Sequence, residues 1–143
     1  MKIAIVNGPN LNMLGMRETH IYGTESLNDI QSNLQNQFPT IAFDFFQSNH
    51  EGSLIDYIQM IPNETNGLII NPGAYTHSSI ALRDALSLLK IPIIEVHISN
   101  IYSREEFRKN SFIKPLCVCS IVGMGTEGYS VAVSRLKEIC EKN

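Results

Sequence analysis

The chain has 143 residues, 43% of them apolar and 17% charged, with a formal net charge of −3. This balance describes one folded domain over residues 1–143, not a disordered chain. It also argues against a general nucleic-acid binder, which needs excess Lys and Arg on one face. Small anions remain possible ligands, because one or two well-placed donors suffice for them. Cys117, Cys119 and Cys140 are odd in number, and two of them lie one residue apart in an apolar run. They read as buried reduced thiols, not as a disulfide framework. The opening MKIAIVNGPN turns polar too soon for a signal peptide. No apolar run approaches the roughly 20 residues of a membrane helix, so a cytoplasmic protein is expected.

In chain order, KIAIVN (2–7) is a short apolar run that ends at Asn-Gly-Pro-Asn and reads as a buried strand. Residues 8–23 form a long connection. SLNDIQSNLQNQF (26–38) sets Leu27, Ile30, Leu34 and Phe38 on one helical face, with Pro39 as a stop. IAFDFFQ (41–47) is strand-like, and GSLIDYIQMI (52–61) is helical up to Pro62. GLIINPG (67–73) is a strand running into a turn, followed by a helix over 78–90. PIIEVHIS (92–99) is a strand, REEFRKN (104–110) a short helical turn and LCVCSIV (116–122) a fifth strand. A closing helix spans 128–142.

Strand and helix thus alternate five times. Strands 1, 3, 4 and 5 are nearly all apolar, as strands covered on both faces must be. The expected fold is an α/β three-layer sandwich with a five-stranded parallel sheet in the flavodoxin-like order 2-1-3-4-5.

Ligands on such sheets bind beyond the carboxyl ends of the strands, and the unusual polar residues fall there. Strand 1 ends at Asn7 and Asn10, strand 3 at Asn71 with His77 after it, and strand 4 at His97 and Ser99. Glu95 and His97 are two apart on one strand and therefore share a face. A carboxylate beside an imidazole fixes its tautomer and makes it more basic, and the protonated ring then serves as a general acid. The other reading of this pair is a buried, mutually satisfied Glu–His contact.

The connection 8–23 exceeds the about 2–6 residues usual between strand and helix, and long loops of this sort are often lids. It carries Arg17 and Tyr22. A nearby guanidinium stabilises a phenolate, which is a competent base for a carbon acid beside a ketone. A surface ion pair and an anchoring tyrosine would place the same residues there, so spacing leaves both readings open.

Two further patterns carry less. GMGTEG (123–128) fits a dinucleotide-binding glycine pattern, but the chain ends before a following strand. Its glycines are expected to serve a close-packed turn. His50, His77, His97 and Glu95 lack the spacing of a metal site or a metal-dependent hydrolase. A non-catalytic flavodoxin-like binding module is the remaining alternative. Its receiver-like form would need acidic residues where Asn7 and Asn71 stand.

Five segments taken together resemble type II 3-dehydroquinate dehydratases. They are NGPNLNMLGMRETHIYG (7–23), QSNHEG (47–52), INPGAYTHSSIALRDAL (70–86), IEVHISNIYSREEFRKNS (94–111) and IVGMGTEGY (121–129). The resemblance implies a metal- and cofactor-free lyase of the shikimate pathway, which leads to the aromatic amino acids. It would convert 3-dehydroquinate reversibly to 3-dehydroshikimate by anti elimination through an enolate.

It further implies Tyr22 as base, Arg17 as its activator, His97 as acid and Asn10 as holder of a water near the enolate oxygen. The implied substrate-binding positions are Asn71, His77, Asp84, Ile98, Ser99 and Arg108. A dodecamer built as a tetramer of trimers is also implied, with Asp84 reaching a neighbouring subunit's site. Thr19 stands where the family usually has proline, so a less stiff lid is expected. Residues 114–119 depart from the family pattern near the last strand.

Overall fold

The computed structural model describes the whole chain, Met1–Asn143. The strands are β1 (Lys2–Asn7), β2 (Ala42–Gln47), β3 (Gly67–Asn71), β4 (Ile93–His97) and β5 (Cys119–Val122). All neighbours pair in parallel, in the order β2-β1-β3-β4-β5. The helices are α1 (Thr19–Tyr22), α2 (Leu27–Gln37), α3 (Glu51–Gln59), α4 (Ile80–Ser87) and α5 (Glu127–Glu141). The expected topology is the one observed.

Strand alternation divides the core into two layers. Ile3, Ile5, Ile69, Ile94 and Val96 pack under Ile30 and Leu34 of α2 and under Ala132, Val133 and Leu136 of α5. Ala4, Val6, Leu68, Ile70 and Ile93 face Leu54 and Ile58 of α3 and Leu82, Ala85 and Leu86 of α4. Each fully buried aliphatic side chain contributes about 1.5–3 kcal/mol. The central strands, β1, β3 and β4, are therefore the rigid floor on which the polar strand ends stand. Caps fix where the helices begin. Ser26 and Asp29 close a reciprocal capping box at α2, and Ser79 Oγ accepts the Leu82 N–H at α4.

Three expectations need correction. The fifth strand begins at Cys119, not 116, because Lys114–Leu116 coil into a 3-10 turn around Pro115. β5 is also an edge strand with only Ile121 buried, so it is not covered on both faces. The third long helix ends at Ser87. Leu88 and Leu89 follow in tighter turns, their N–H groups bonding the Ala85 and Leu86 carbonyls three residues back. The three cysteines are free, as expected, but half-buried instead of buried. Burial still pushes the Cys117 thiol up to about 12.

The connection after β1 is not one loose loop. Leu11–Met13 form a 3-10 turn, and Leu11 and Leu14 are buried in the core. Gly15 and Gly23 both have positive φ, 86° and 80°, and they bracket the exposed stretch that ends in α1. Thr19 is the first residue of α1, a position whose N–H has no partner within the helix. Proline is common at such a position, but Glu18 before it has φ 37° and ψ 52°, outside the extended region that a residue before proline prefers, so threonine suits the turn observed.

At the middle of the carboxyl edge, β1 and β3 align Asn7 with Asn71. The fully buried Tyr129 of α5 joins them. Its hydroxyl donates to Asn7 Oδ1 at 2.5 Å and accepts from Asn71 Nδ2 at 3.0 Å. Tyr129→Phe would strip the Asn7 oxygen of its donor inside the core. It is expected to lower stability by about 1–3 kcal/mol, read as a lower denaturant midpoint at unchanged slope.

Candidate active site

The strand ends and the connection after β1 enclose a cavity lined by Asn10, Leu14, Arg17, Tyr22, Asn71, His77, His97, Ile98, Ser99, Arg104 and Arg108, among others. Nearly every residue nominated from the sequence is in this wall. Glu95 is not; it lies behind His97. Asp84 is not either; it is exposed on α4, away from its own chain's cavity.

Glu95 and His97 are in contact. His97 Nε2 lies 2.7 Å from Glu95 Oε1, and the two side chains are 6% and 1% exposed. One ring nitrogen is thereby taken, and the other is left for the cavity. The carboxylate is caged by hydroxyls from three further segments. Thr76 Oγ1 donates to Oε1, Ser111 Oγ reaches Oε1 and Oε2 at 2.9 and 3.1 Å, and Ser120 Oγ reaches Oε2 at 3.3 Å. Burial opposes the charge on Glu95. The His97 bond and the hydroxyls outweigh it and hold the carboxyl below its ordinary range.

His77 donates from Nδ1 to the Asn110 carbonyl at 2.7 Å, and its ring lies 6.3 Å from that of His97. Burial is the main reason its pKa is lowered, so it faces the cavity as a neutral imidazole. Asn71 uses Oδ1 to accept from Gly73 N–H at 3.1 Å and one Nδ2 hydrogen for Tyr129, which leaves its second Nδ2 hydrogen for a ligand. The glycines of GMGTEG serve a turn. Gly123 and Gly125 have positive φ and donate to the His97 and Ile98 carbonyls, both at 3.1 Å. They brace the backbone that carries the imidazole.

The tyrosine environment differs from the sequence expectation. Arg17 lies over the Tyr22 ring, 4.9 Å from its centre, and bonds Glu18 at 2.6 Å. The guanidinium on the Tyr22 oxygen belongs to Arg104. Its Nη1 donates to that hydroxyl at 2.9 Å and to Ser99 Oγ at 3.2 Å. Sequence reasoning missed Arg104 because REEFRK has the spacing of a solvated salt-bridged turn. Arg108, the arginine that was nominated there, does bond Glu105 at 2.6 Å while lining the cavity. Tyr22 and Arg104 are 82 positions apart, so no local spacing points to their contact. The only available signal was a cation on the segment that follows the His97 strand end.

A depressed carboxyl contributes stability above its unfolded value and loses it as pH falls. The Glu95 contribution is therefore complete above its ordinary 4.5 and declines below it. Denaturant midpoints are expected to fall as pH is lowered through about 4 toward 3. Glu95→Gln should cost about 1–3 kcal/mol at neutral pH and flatten part of that acid decline.

The chain is similar over nearly its whole length to known proteins. The model of the family described as dehydroquinase class II matches residues 1–137. A 3-dehydroquinate dehydratase of Campylobacter lari is 48% identical over 144 residues, covering 99% of this chain and 90% of the relative. One of Sulfurimonas denitrificans is 50% identical over 141 residues, covering 97% and 88%. The crystal structure of a type II dehydroquinase from Butyrivibrio crossotus superposes with a TM-score of 0.92 at 50% identity, covering 96% of this chain and 97% of that one. The chain belongs to the class II dehydroquinase family.

Proposed function

We propose that this protein is a 3-dehydroquinate dehydratase, a single catalytic domain that removes water from 3-dehydroquinate to form 3-dehydroshikimate in the shikimate pathway. The observation that carries the reading is the pairing within one cavity of a guanidinium-bound tyrosine oxygen with a carboxylate-backed imidazole. Family membership supplies the substrate.

Tyr22 is the base. Its phenolate oxygen, held by Arg104, takes the proton from the carbon beside the ketone. Arg17, over the ring face, adds positive charge next to the base. The electron pair moves onto the ketone oxygen as an enolate. Asn10, at the mouth of the cavity, holds a water near that oxygen, since polar groups already in place there stabilise the developing charge. The enolate then collapses and expels the hydroxyl, which takes the proton of His97 as water leaves. Glu95 keeps the imidazole oriented and stabilises its charged form. Base and acid come from different segments, the connection after β1 and the end of β4, and an anti elimination needs them on opposite faces of the substrate ring.

Asn71, Ser99 and the Ile98 backbone bind the substrate at the strand ends, and His77 and Arg108 close the far side. Gly15 and Gly23 are the hinges of a lid carrying Arg17 and Tyr22. Closure excludes water and strengthens the charge interactions inside. The exposed position of Asp84 supports an assembly in which it reaches a neighbouring chain's cavity, within a dodecamer of four trimers. No helix is long and apolar enough to cross a membrane, which agrees with a cytoplasmic setting. The chemistry uses no metal or cofactor.

The test is appearance of the conjugated product by ultraviolet absorbance from 3-dehydroquinate, with a chelator present throughout. A binding module of the same fold would bind 3-dehydroquinate and leave it unchanged. Tyr22→Phe is expected to lower kcat by roughly 10²- to 10⁴-fold while calorimetric binding of the substrate stays within about threefold. Retained turnover would remove Tyr22 as the base. Arg104→Ala is expected to lower kcat by about 10²-fold. Arg104→Lys should recover only part of it, because an ammonium on a shorter, flexible stem is held less firmly at the position of Arg104 Nη1, which bonds both Tyr22 and Ser99.

A further inference from the structure

The QSNHEG stretch (47–52) carries part of the family resemblance yet takes no part in the chemistry above. It lies where β2 ends beside β1, with Gln47 opposite Asn7 in register. Its contacts run to the segment that carries Asn10. Asn49 Oδ1 accepts the Asn10 backbone N–H at 2.9 Å. Gln47 Nε2 donates to the Gly8 carbonyl at 3.1 Å and to Asn49 Oδ1 at 3.3 Å. The Asn49 carbonyl accepts from the Tyr75 hydroxyl at 2.9 Å, and Tyr75 shares a 3-10 turn with His77.

Asn10 itself has φ 69°, in the left-handed region. Asparagine enters that region more readily than most residues, but a single residue there needs its surroundings to hold it. The segment has little freedom to shift on its other side, because a Cβ at Gly8 would meet the Pro72 carbonyl oxygen at 2.4 Å. The Asn10 carbonyl accepts the Met13 N–H at 3.0 Å, within its own turn, and the contact from outside the turn, on the Asn10 N–H, is the Asn49 side chain.

We propose that Asn49 is a positioning residue for the dehydration. It holds the Asn10 backbone in its left-handed conformation and so aims the Asn10 amide at the water beside the enolate oxygen; this rests on the role given to Asn10 above. The gain falls on the enolate-like transition state and not on substrate binding, so the effect belongs in kcat and not in KM.

The test is a double-mutant cycle read by the ultraviolet assay. Asn49→Ala keeps the backbone carbonyl that Tyr75 uses and removes the side-chain oxygen that accepts from the Asn10 N–H and from Gln47 Nε2. It is expected to lower kcat by roughly 10- to 100-fold with KM within about twofold. Asn49→Asp retains an oxygen for both donors and should recover kcat to within about threefold. In an Asn10→Ala background, Asn49→Ala should change kcat by less than about twofold, because the two residues act as one unit. If the alanine variant does not fold, Gln47→Leu loosens the Asn49 amide without deleting it. It must then show a lowered kcat that disappears in the Asn10→Ala background.

An active wild type with undiminished kcat in Asn49→Ala overturns the inference. So does a loss that Asn49→Asp shares in full, or one that multiplies with Asn10→Ala. A wild type without turnover overturns the functional reading itself.

Discussion

One buried negative charge organises the active edge of this protein. Glu95 sits inside the sheet with almost no exposure, and an unpaired carboxylate there would cost several kcal/mol. It is retained because donors from four segments converge on it: the imidazole of its own strand, Thr76 from the turn after β3, Ser111 from the loop before β5 and Ser120 on β5 itself. Removing one donor leaves the buried carboxylate less satisfied, so the turn, the loop and the edge strand are tied to one point. Stability and chemistry coincide there. The charge that draws the segments together also orients His97.

A second fixed point lies two strands away. Tyr129 rises from α5 through the core and links the ends of β1 and β3 by its hydroxyl. The strand ends are thus clamped from below, while the residues that touch a ligand stand above. The half of the site on β3 and β4 is in this way as rigid as the core. The half that carries Tyr22 and Arg17 lies between two positive-φ glycines and is held by packing of Leu11, Leu14 and the Tyr22 ring. The Arg104 bond to Tyr22 joins the two halves, because it ties Tyr22 to the segment that follows β4.

Local patterning made the framework legible before any contact was known. The apolar runs at 2–7, 67–71 and 93–97, the 3.6-residue stripes between them and the Asn and His at their ends were enough for the strand order and for the edge where the site lies. The pairing of Glu95 with His97 was readable too, since a two-residue offset on a strand fixes a shared face. Boundaries were less readable. The 3-10 turn around Pro115 delays the fifth strand, and the tighter turns at Leu88 and Leu89 end the helix early; neither changes the apolar pattern.

The sequence by itself determined the fold class and the sheet edge where the polar groups gather, because strand and helix periodicities are local, and the family resemblance added the other cavity side chains that were named. Only the tertiary structure decided which guanidinium meets the Tyr22 oxygen, which hydroxyls hold Glu95 and what keeps Asn10 in its left-handed turn. Those partners lie tens of residues apart in the chain, and spacing along a chain says nothing about groups that meet only once the sheet has formed.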